Sequence, residues 1–333
     1  MKKFKYQSVT AKEYQKVTPE GFFEQRRKFL KLGAGSLVAA LSAENLLADI
    51  AKTANLHYRP MSDKEMLKIN RNVIFPTPEE LATSYNNFYE FGYSKSDPKN
   101  NAGSLKTSPW SISIEGEVQK PFAIDVEELI AKMTLVERVY RFRCVEAWSM
   151  VIPWIGFELR EFINFAKPTK AAKYIRFTTL YDPKQFRMQG GFLGLGIGMG
   201  TSFLDFPYKE GLRLDEAMNP LSMLAVGMYK KRLLPQNGAP IRLVVPWKYG
   251  YKMIKSINKI EFLKEQPIST WEKENPREYG FYGNVDPEVS HPRWSQSSER
   301  VIGQRGRIPT LYLNGYAKEV EHLYAGLDRK KLY

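Results

Sequence analysis

Three observations place this sequence in the mixed α+β class. Short alternating apolar runs, the mark of half-buried strands, outnumber long amphipathic helical stretches. The spacing between those runs is too irregular for a repeated strand–helix–strand unit, which argues against a doubly wound sheet. No internal repeat or low-complexity tract suggests an array.

The elements follow in chain order. Residues 49–83 read as an N-terminal linker with short helices, where Ser62 with Glu65 and Thr77 with Glu80 form candidate capping boxes. The polar stretch 84–108 carries Tyr85, Phe88, Tyr89 and Phe91, and aromatics in a long loop imply that the loop packs on something. Trp110, Ile112 and Ile114 alternate with Ser111, Ser113 and Glu115, a strand with one face inward. Asp125 and Glu128 suit the start of a short helix ending near Met133. Tyr140, Phe142 and Cys144 alternate with Arg141 and Arg143, which places Cys144 at a strand end on the aromatic face. Residues 158–166 suit a helix, and 173–181, 222–229, 240–247 and 254–263 suit strands.

Composition limits the function. The 333 residues are 43% hydrophobic and 26% charged, ordinary for a globular protein with a sizeable core. The formal net charge is +14, of which +9 remains once the basic segment 1–48 is set aside. Such charge suits steering of an anionic partner or a solvated face; no basic block interleaved with aromatics supports nucleic-acid binding. A single cysteine excludes an internal disulfide, a covalent haem motif and a four-cysteine iron–sulfur site. His57, His291 and His322 show no ligand spacing.

Residues 25–31 read Gln-Arg-Arg-Lys-Phe-Leu-Lys, followed by a weakly apolar run to Leu47 that Glu44 and Asn45 interrupt. That pattern makes 1–48 a twin-arginine signal peptide, too short and broken for a membrane span. Its route carries folded proteins, which fits a cofactor inserted before export. Six glycines lie in 190–200, without the spacing of a dinucleotide or phosphate loop, so the stretch reads as a surface loop.

The chemistry centres on two segments. In Arg141-Phe142-Arg143-Cys144-Val145-Glu146-Ala147-Trp148, neighbouring arginines should favour a thiolate, a soft ligand for a transition metal. The alternative is an inert buried thiol. Downstream, Arg242, Lys248, Lys252 and Lys255 crowd a region with the Gly250 turn, suited to an anionic phosphate or to a solvated basic hairpin.

These residues resemble the sulfite-oxidase fold family of molybdopterin enzymes, specifically its periplasmic methionine-sulfoxide-reducing branch. The likeness rests on Tyr85-Asn86-Asn87-Phe88-Tyr89-Glu90-Phe91-Gly92, on Cys144 through Pro153-Trp154-Ile155-Gly156-Phe157, on 235–255, and on His291-Pro292-Arg293-Trp294-Ser295-Gln296. It implies a single catalytic domain over 84–333 without a C-terminal dimerisation domain, and hence a monomeric catalytic subunit. It implies one molybdenum held by one molybdopterin dithiolene and by Cys144. Cofactor contacts carry over to Asn86, Tyr89, Glu90, Thr179, Asn237, Arg242, Met253, Ile254 and Lys255. The glycine-rich stretch 190–200 is longer than the family pattern. The implied reaction reduces methionine sulfoxide in oxidised periplasmic proteins, with electrons from a haem-bearing membrane subunit. Glu146 then relays a proton or shapes the pocket, unless it is an ordinary ion-pair partner of Arg143 or a neighbour; Tyr279 donates a hydrogen bond there or simply packs. A sulfite-type dehydrogenase on the same fold, and a binding module with an inert Cys144, are the rival readings.

Overall fold

The computed structural model describes residues 56–61, 76–190 and 204–333. The twin-arginine segment, the Ser62–Glu65 cap and most of the glycine-rich stretch lie outside the described residues.

Among the described residues twelve strands form two sheets, confirming the mixed α+β class. They are β1 Ser111–Gly116, β2 Phe122–Asp125, β3 Val136–Cys144, β4 Trp148–Glu158, β5 Tyr174–Thr179, β6 Lys209–Arg213, β7 Met223–Met228, β8 Lys231–Arg232, β9 Arg242–Val244, β10 Ile257–Leu263, β11 Ser298–Val301 and β12 Ile308–Pro309. One sheet runs β2-β1-β10-β5-β6; the other runs β12-β11-β4-β7-β8, with β3 added on β4 and β9 on β7. Most pairings are antiparallel, but β1–β10 and β11–β4 are parallel.

Several elements form for the reasons read in the sequence. Ile112 and Ile114 are fully buried on β1, while Ser111 is exposed. The Asp125 carboxylate accepts from the Glu127 N–H and caps the helix Val126–Lys132, whose stop at Met133 is as expected. Glu128 takes no part in that cap and instead pairs with Lys132 one turn on. The helix Leu159–Ala166 turns Leu159, Phe162, Ile163 and Ala166 inward.

Other expectations fail for identifiable reasons. The helix Glu79–Ala82 starts after Pro78 with no side-chain cap; the Thr77 hydroxyl accepts from the Val151 N–H at 3.0 Å instead. The 240–247 run yields only the three-residue β9, because Ala239–Pro240 and Pro246 bracket it. The loop 84–108 contains a short helix, Asp97–Asn101, and buries Phe88 and Phe91 against Phe186.

The hairpin β3–β4 carries the site. Its register pairs Cys144 with Trp148 across a three-residue turn, Val145–Ala147, in which Ala147 takes the left-handed φ of +59°. That conformation in a three-residue hairpin loop is a recurrent solution, normally given to glycine. Both faces of β3 are covered. Tyr140 and Cys144 face one side, while Arg141 and Arg143 face a buried polar cluster on the other.

Candidate active site: a cysteine-floored cavity

A cavity of about 540 Å³ opens beside the β3–β4 turn. The pleat builds its floor: Phe142 and Cys144 from β3, then every second residue of β4, Trp148, Met150, Ile152 and Trp154. Met228 of β7 and Arg242 of β9 extend that floor. The walls come from the 82–90 loop, Thr179 at the end of β5, and the 250–255 segment. Trp271, Tyr279, Arg293 and Trp294 also contribute wall.

At the Cys144 end the sulfur has three polar neighbours. Asn87 Nδ2 and the Glu146 backbone N–H each lie 3.5 Å from Sγ, and Glu146 Oε2 lies 3.8 Å away. Glu146 in turn accepts from Trp148 Nε1 at 2.9 Å and from Asn87 Nδ2 at 3.1 Å, and pairs with Lys95 at 2.7 Å. Of the ion-pair alternatives for Glu146, the one with Arg143 is not made, and Lys95 takes that place. Burial alone would raise Glu146, but donors from Lys95, Trp148 and Asn87 outweigh it and hold the carboxylate below its ordinary range.

The arginines beside Cys144 do not lower its thiol. Burial, then the Glu146 charge, push it up to about 12, and Arg143 is only a weak opposing influence. The strand alternation explains this correction: Arg141 and Arg143 point away from the sulfur and both bond to Glu299, at 2.7 and 2.9 Å. A thiol so enclosed ionises when a metal replaces its proton.

The far end of the cavity is cationic. Arg242 NH1 donates to the Asn237 carbonyl at 2.9 Å and NH2 to the Met253 carbonyl at 3.1 Å, with the guanidinium 4.8 Å from the Trp154 ring. Among the described residues no carboxylate pairs with it, and burial pulls it down to about 9. Lys255 stands at the wall, its side chain packed on Gly238; that glycine has φ +97°, and a Cβ there would lie 2.8 Å from the lysine. Burial and the Arg242 charge lower Lys255 to about 7, while burial raises Glu90 to about 7. Lys248 and Lys252, expected in the same anion site, are elsewhere: Lys248 is paired with Glu216 at 2.5 Å and Lys252 with Glu210 at 2.6 Å, all fully buried. The Gly250 turn lines the cavity because only hydrogen fits where the Phe142 ring approaches.

The structure thus gathers Cys144, Glu146 and Tyr279 with Asn86, Tyr89, Glu90, Thr179, Asn237, Arg242, Ile254 and Lys255 around one cavity. Met253 stands behind the wall and contributes its carbonyl to Arg242. Tyr279 is buried and pushed up to about 12, so its hydroxyl stays protonated and able to donate. Sequence reasoning missed Lys95 as the Glu146 partner and Asn87 as a sulfur neighbour, although Asn87 lies within the motif 85–92. Trp271, in the short helix Thr270–Glu274, and Trp294, within the 291–296 motif, were missed as wall residues.

A molybdenum–pterin group fits these residues. Among the described residues no cluster of three or more His, Cys, Asp or Glu side chains offers an all-protein metal cage, so a metal at Cys144 needs donors from a bound group. Among the described residues, four buried atoms of cavity-lining residues lack protein partners, Asn86 Oδ1, Trp154 Nε1, Asn237 Oδ1 and Arg242 Nε, and polar atoms of this kind cost stability until a ligand meets them. Arg242 and Lys255 repel each other there, which an anionic group between them would relieve.

A family model described as the oxidoreductase molybdopterin-binding domain matches residues 100–271. The chain belongs to the molybdopterin-binding oxidoreductases. It is 53% identical over 314 residues, 94% of its length and 98% of the relative's, to the protein-methionine-sulfoxide reductase catalytic subunit MsrP of Campylobacter jejuni. The solved sulfane dehydrogenase SoxCD of Paracoccus pantotrophus overlaps it at a TM-score of 0.41 and 15% identity, covering 57% of this chain and 44% of that one, a likeness too slight to add to the assignment.

Proposed function

We propose that this chain is a molybdopterin-dependent catalytic subunit that reduces methionine sulfoxide in proteins to methionine. The observation that carries the reading is the single thiol of Cys144 at one end of a cavity whose other end presents Arg242 and Lys255, in a chain 53% identical to MsrP along nearly its whole length. Bound molybdopterin supplies the two-electron, oxygen-accepting chemistry. Cys144 supplies the protein ligand to the metal. Arg242 and Lys255 hold the anionic end of the pterin, assisted by Asn86, Asn237, Thr179 and the backbone at Met253–Lys255. Tyr89, Trp271, Tyr279 and Trp294 enclose the sulfoxide and exclude water. The Tyr279 hydroxyl is placed to donate to the sulfoxide oxygen. Glu146, held by Lys95, Asn87 and Trp148, fixes the polar side of the sulfur.

The same proposal includes periplasmic export by the twin-arginine translocase, on the evidence of Arg26 and Arg27 before Phe29-Leu30-Lys31. Replacing both arginines with lysine should strand precursor in the cytoplasm; normal periplasmic yield would refute that route. Electrons arrive from a haem-bearing membrane subunit of the MsrQ kind, and the catalytic subunit works as a monomer.

The test uses cofactor-loaded protein and a reduced dye as electron donor. Oxidation of the dye should require a methionine-sulfoxide peptide, and sulfite with an electron acceptor should give no turnover. Sulfite oxidation without sulfoxide reduction would overturn the proposal.

A further inference from the structure

The turn that presents Cys144 has little structure of its own. It is three residues long, and its last residue, Ala147, sits in a left-handed conformation unusual for alanine. Its shape is set from outside, by a segment about 150 residues further along the chain. The Val145 carbonyl, next after Cys144, accepts two side-chain N–H groups: Trp294 Nε1 at 2.8 Å and Gln296 Nε2 at 2.7 Å. The Cys144 carbonyl accepts from Arg143 and from the Ala147 N–H. The Ala147 carbonyl accepts from the Arg300 N–H at 3.0 Å.

Both donors on Val145 are themselves fixed. Gln296 is 1% exposed, and its Oε1 accepts from Arg143 NH2 at 2.8 Å, so its amide cannot turn over without losing two bonds. The Trp294 indole lies flat on His291, centroids 3.8 Å apart and planes 6° from parallel. Arg293, paired with Glu278 at 2.7 Å, lies near the same ring. This explains the buried His291: it acts as a shelf for the indole. Arg143 is tied in turn to Glu299, on the strand that pairs with the start of β4.

We propose that Trp294 and Gln296 are positioning residues for the Cys144 sulfur, clamping the Val145 carbonyl so that the turn delivers Sγ to one place in the cavity. The inference rests on the reading of Cys144 as the metal ligand. A ligand held by a single three-residue turn needs such outside support, because an ångström of drift in a metal-bound sulfur retunes the centre.

Three single variants separate the clamp from mere packing. Trp294→Phe keeps an aromatic ring in the cavity wall and removes the N–H together with one ring of the indole. Gln296→Met fills the same space without a donor. Gln296→Glu keeps an acceptor for Arg143 and loses the donor to Val145. Each should lower kcat per bound molybdenum about tenfold, as loss of one net hydrogen bond implies, and in the two Gln296 variants, which do not touch the cavity wall, KM should change less than about twofold. Molybdenum-edge X-ray absorption should show three sulfur neighbours in the wild type and two in Cys144→Ser. In the clamp variants the third sulfur should spread to longer distances.

A wild-type-like third sulfur and unchanged kcat in both Trp294→Phe and Gln296→Glu would overturn the clamp while leaving the ligand intact. Activity falling only in proportion to lost molybdenum, with the spectrum unaltered, would also overturn it, since that is what packing alone predicts. Two sulfurs in the wild type would remove the ligand reading and the clamp together.

Discussion

Four cations within 14 positions of one another, Arg242, Lys248, Lys252 and Lys255, meet opposite fates. Lys248 and Lys252 are wholly enclosed, and each has a carboxylate within 2.6 Å. Lys248 Nζ also donates to the Tyr282 carbonyl and to Asn284 Oδ1, both at 2.8 Å. Among the described residues Arg242 meets only backbone carbonyls and an indole ring, and Lys255 shares the cavity with Glu90. The difference teaches how to tell a structural cation from one meant for a ligand. The structural pair is complete within the protein, whereas the cavity pair is short of negative charge until something binds.

The comparison breaks most visibly at Lys248. Lys248→Met leaves Glu216 buried without its cation, so the protein should lose about 3–5 kcal/mol, read as a shift of the denaturant midpoint. Molybdenum per folded molecule should not change. Cys144→Ser should give the reverse signature. Turnover with reduced dye should fall at least about a hundredfold, roughly 2.7 kcal/mol of activation energy, because a hard, protonated hydroxyl replaces a soft thiolate. Its denaturant midpoint should stay near wild type, and part of the molybdenum should remain. Near-wild-type turnover would return Cys144 to the status of a core thiol.

Arg242→Ala tests the ligand-facing half of the contrast. It should weaken cofactor retention by about 1.5–3 kcal/mol, measured as molybdenum per protein after dialysis. An unchanged ratio would show that Arg242 belongs with the structural cations.

The smallest effect is a pH profile of cofactor-free protein. Glu90 is raised to about 7 in the fold, so the folded state holds its proton more tightly and these residues cost stability as pH rises from about 4.5 to 7. Lys255 is lowered to about 7, so the unfolded state holds more protons above that point and stability recovers as pH rises towards about 10.5. The pair should therefore carve a minimum near neutrality. Lys255→Met should remove the alkaline recovery, and a loaded anionic cofactor should flatten the dip. A profile indifferent to Lys255→Met would show that this lysine does not titrate in the cavity.

Much of this arrangement was visible in the residues because it is local. The period-two pattern at Ile112 and Ile114 and the Asp125 cap needed only neighbours in sequence. The end-of-strand place of Cys144 came from the same pattern. What stayed hidden depends on partners far along the chain. Glu299 claims Arg141 and Arg143 from more than 150 residues away, so burial and the Glu146 charge, not the arginines, set the direction of the thiol. Val151 claims Thr77, which removed a cap that the local spacing had offered. Glu210 and Glu216 claim Lys252 and Lys248, and nothing near those lysines in sequence announces it. Lys95 reaches Glu146 only because the 84–108 loop folds over the turn.

The tail has a bearing on timing. Tyr324 sends its hydroxyl into the Lys248–Glu216 pair, donating to Glu216 Oε1 at 2.6 Å, and accepts from Trp247 Nε1 at 2.7 Å; the Asn284 N–H reaches the Leu332 carbonyl at 2.8 Å. Synthesis runs from the N-terminus, so these threads are made after every strand of the two sheets. A nascent chain that has not yet released Tyr324 holds a half-built polar centre beneath the segment that bears Arg242 and Lys255. The Lys248–Glu216 centre closes fully only once Tyr324 has joined it.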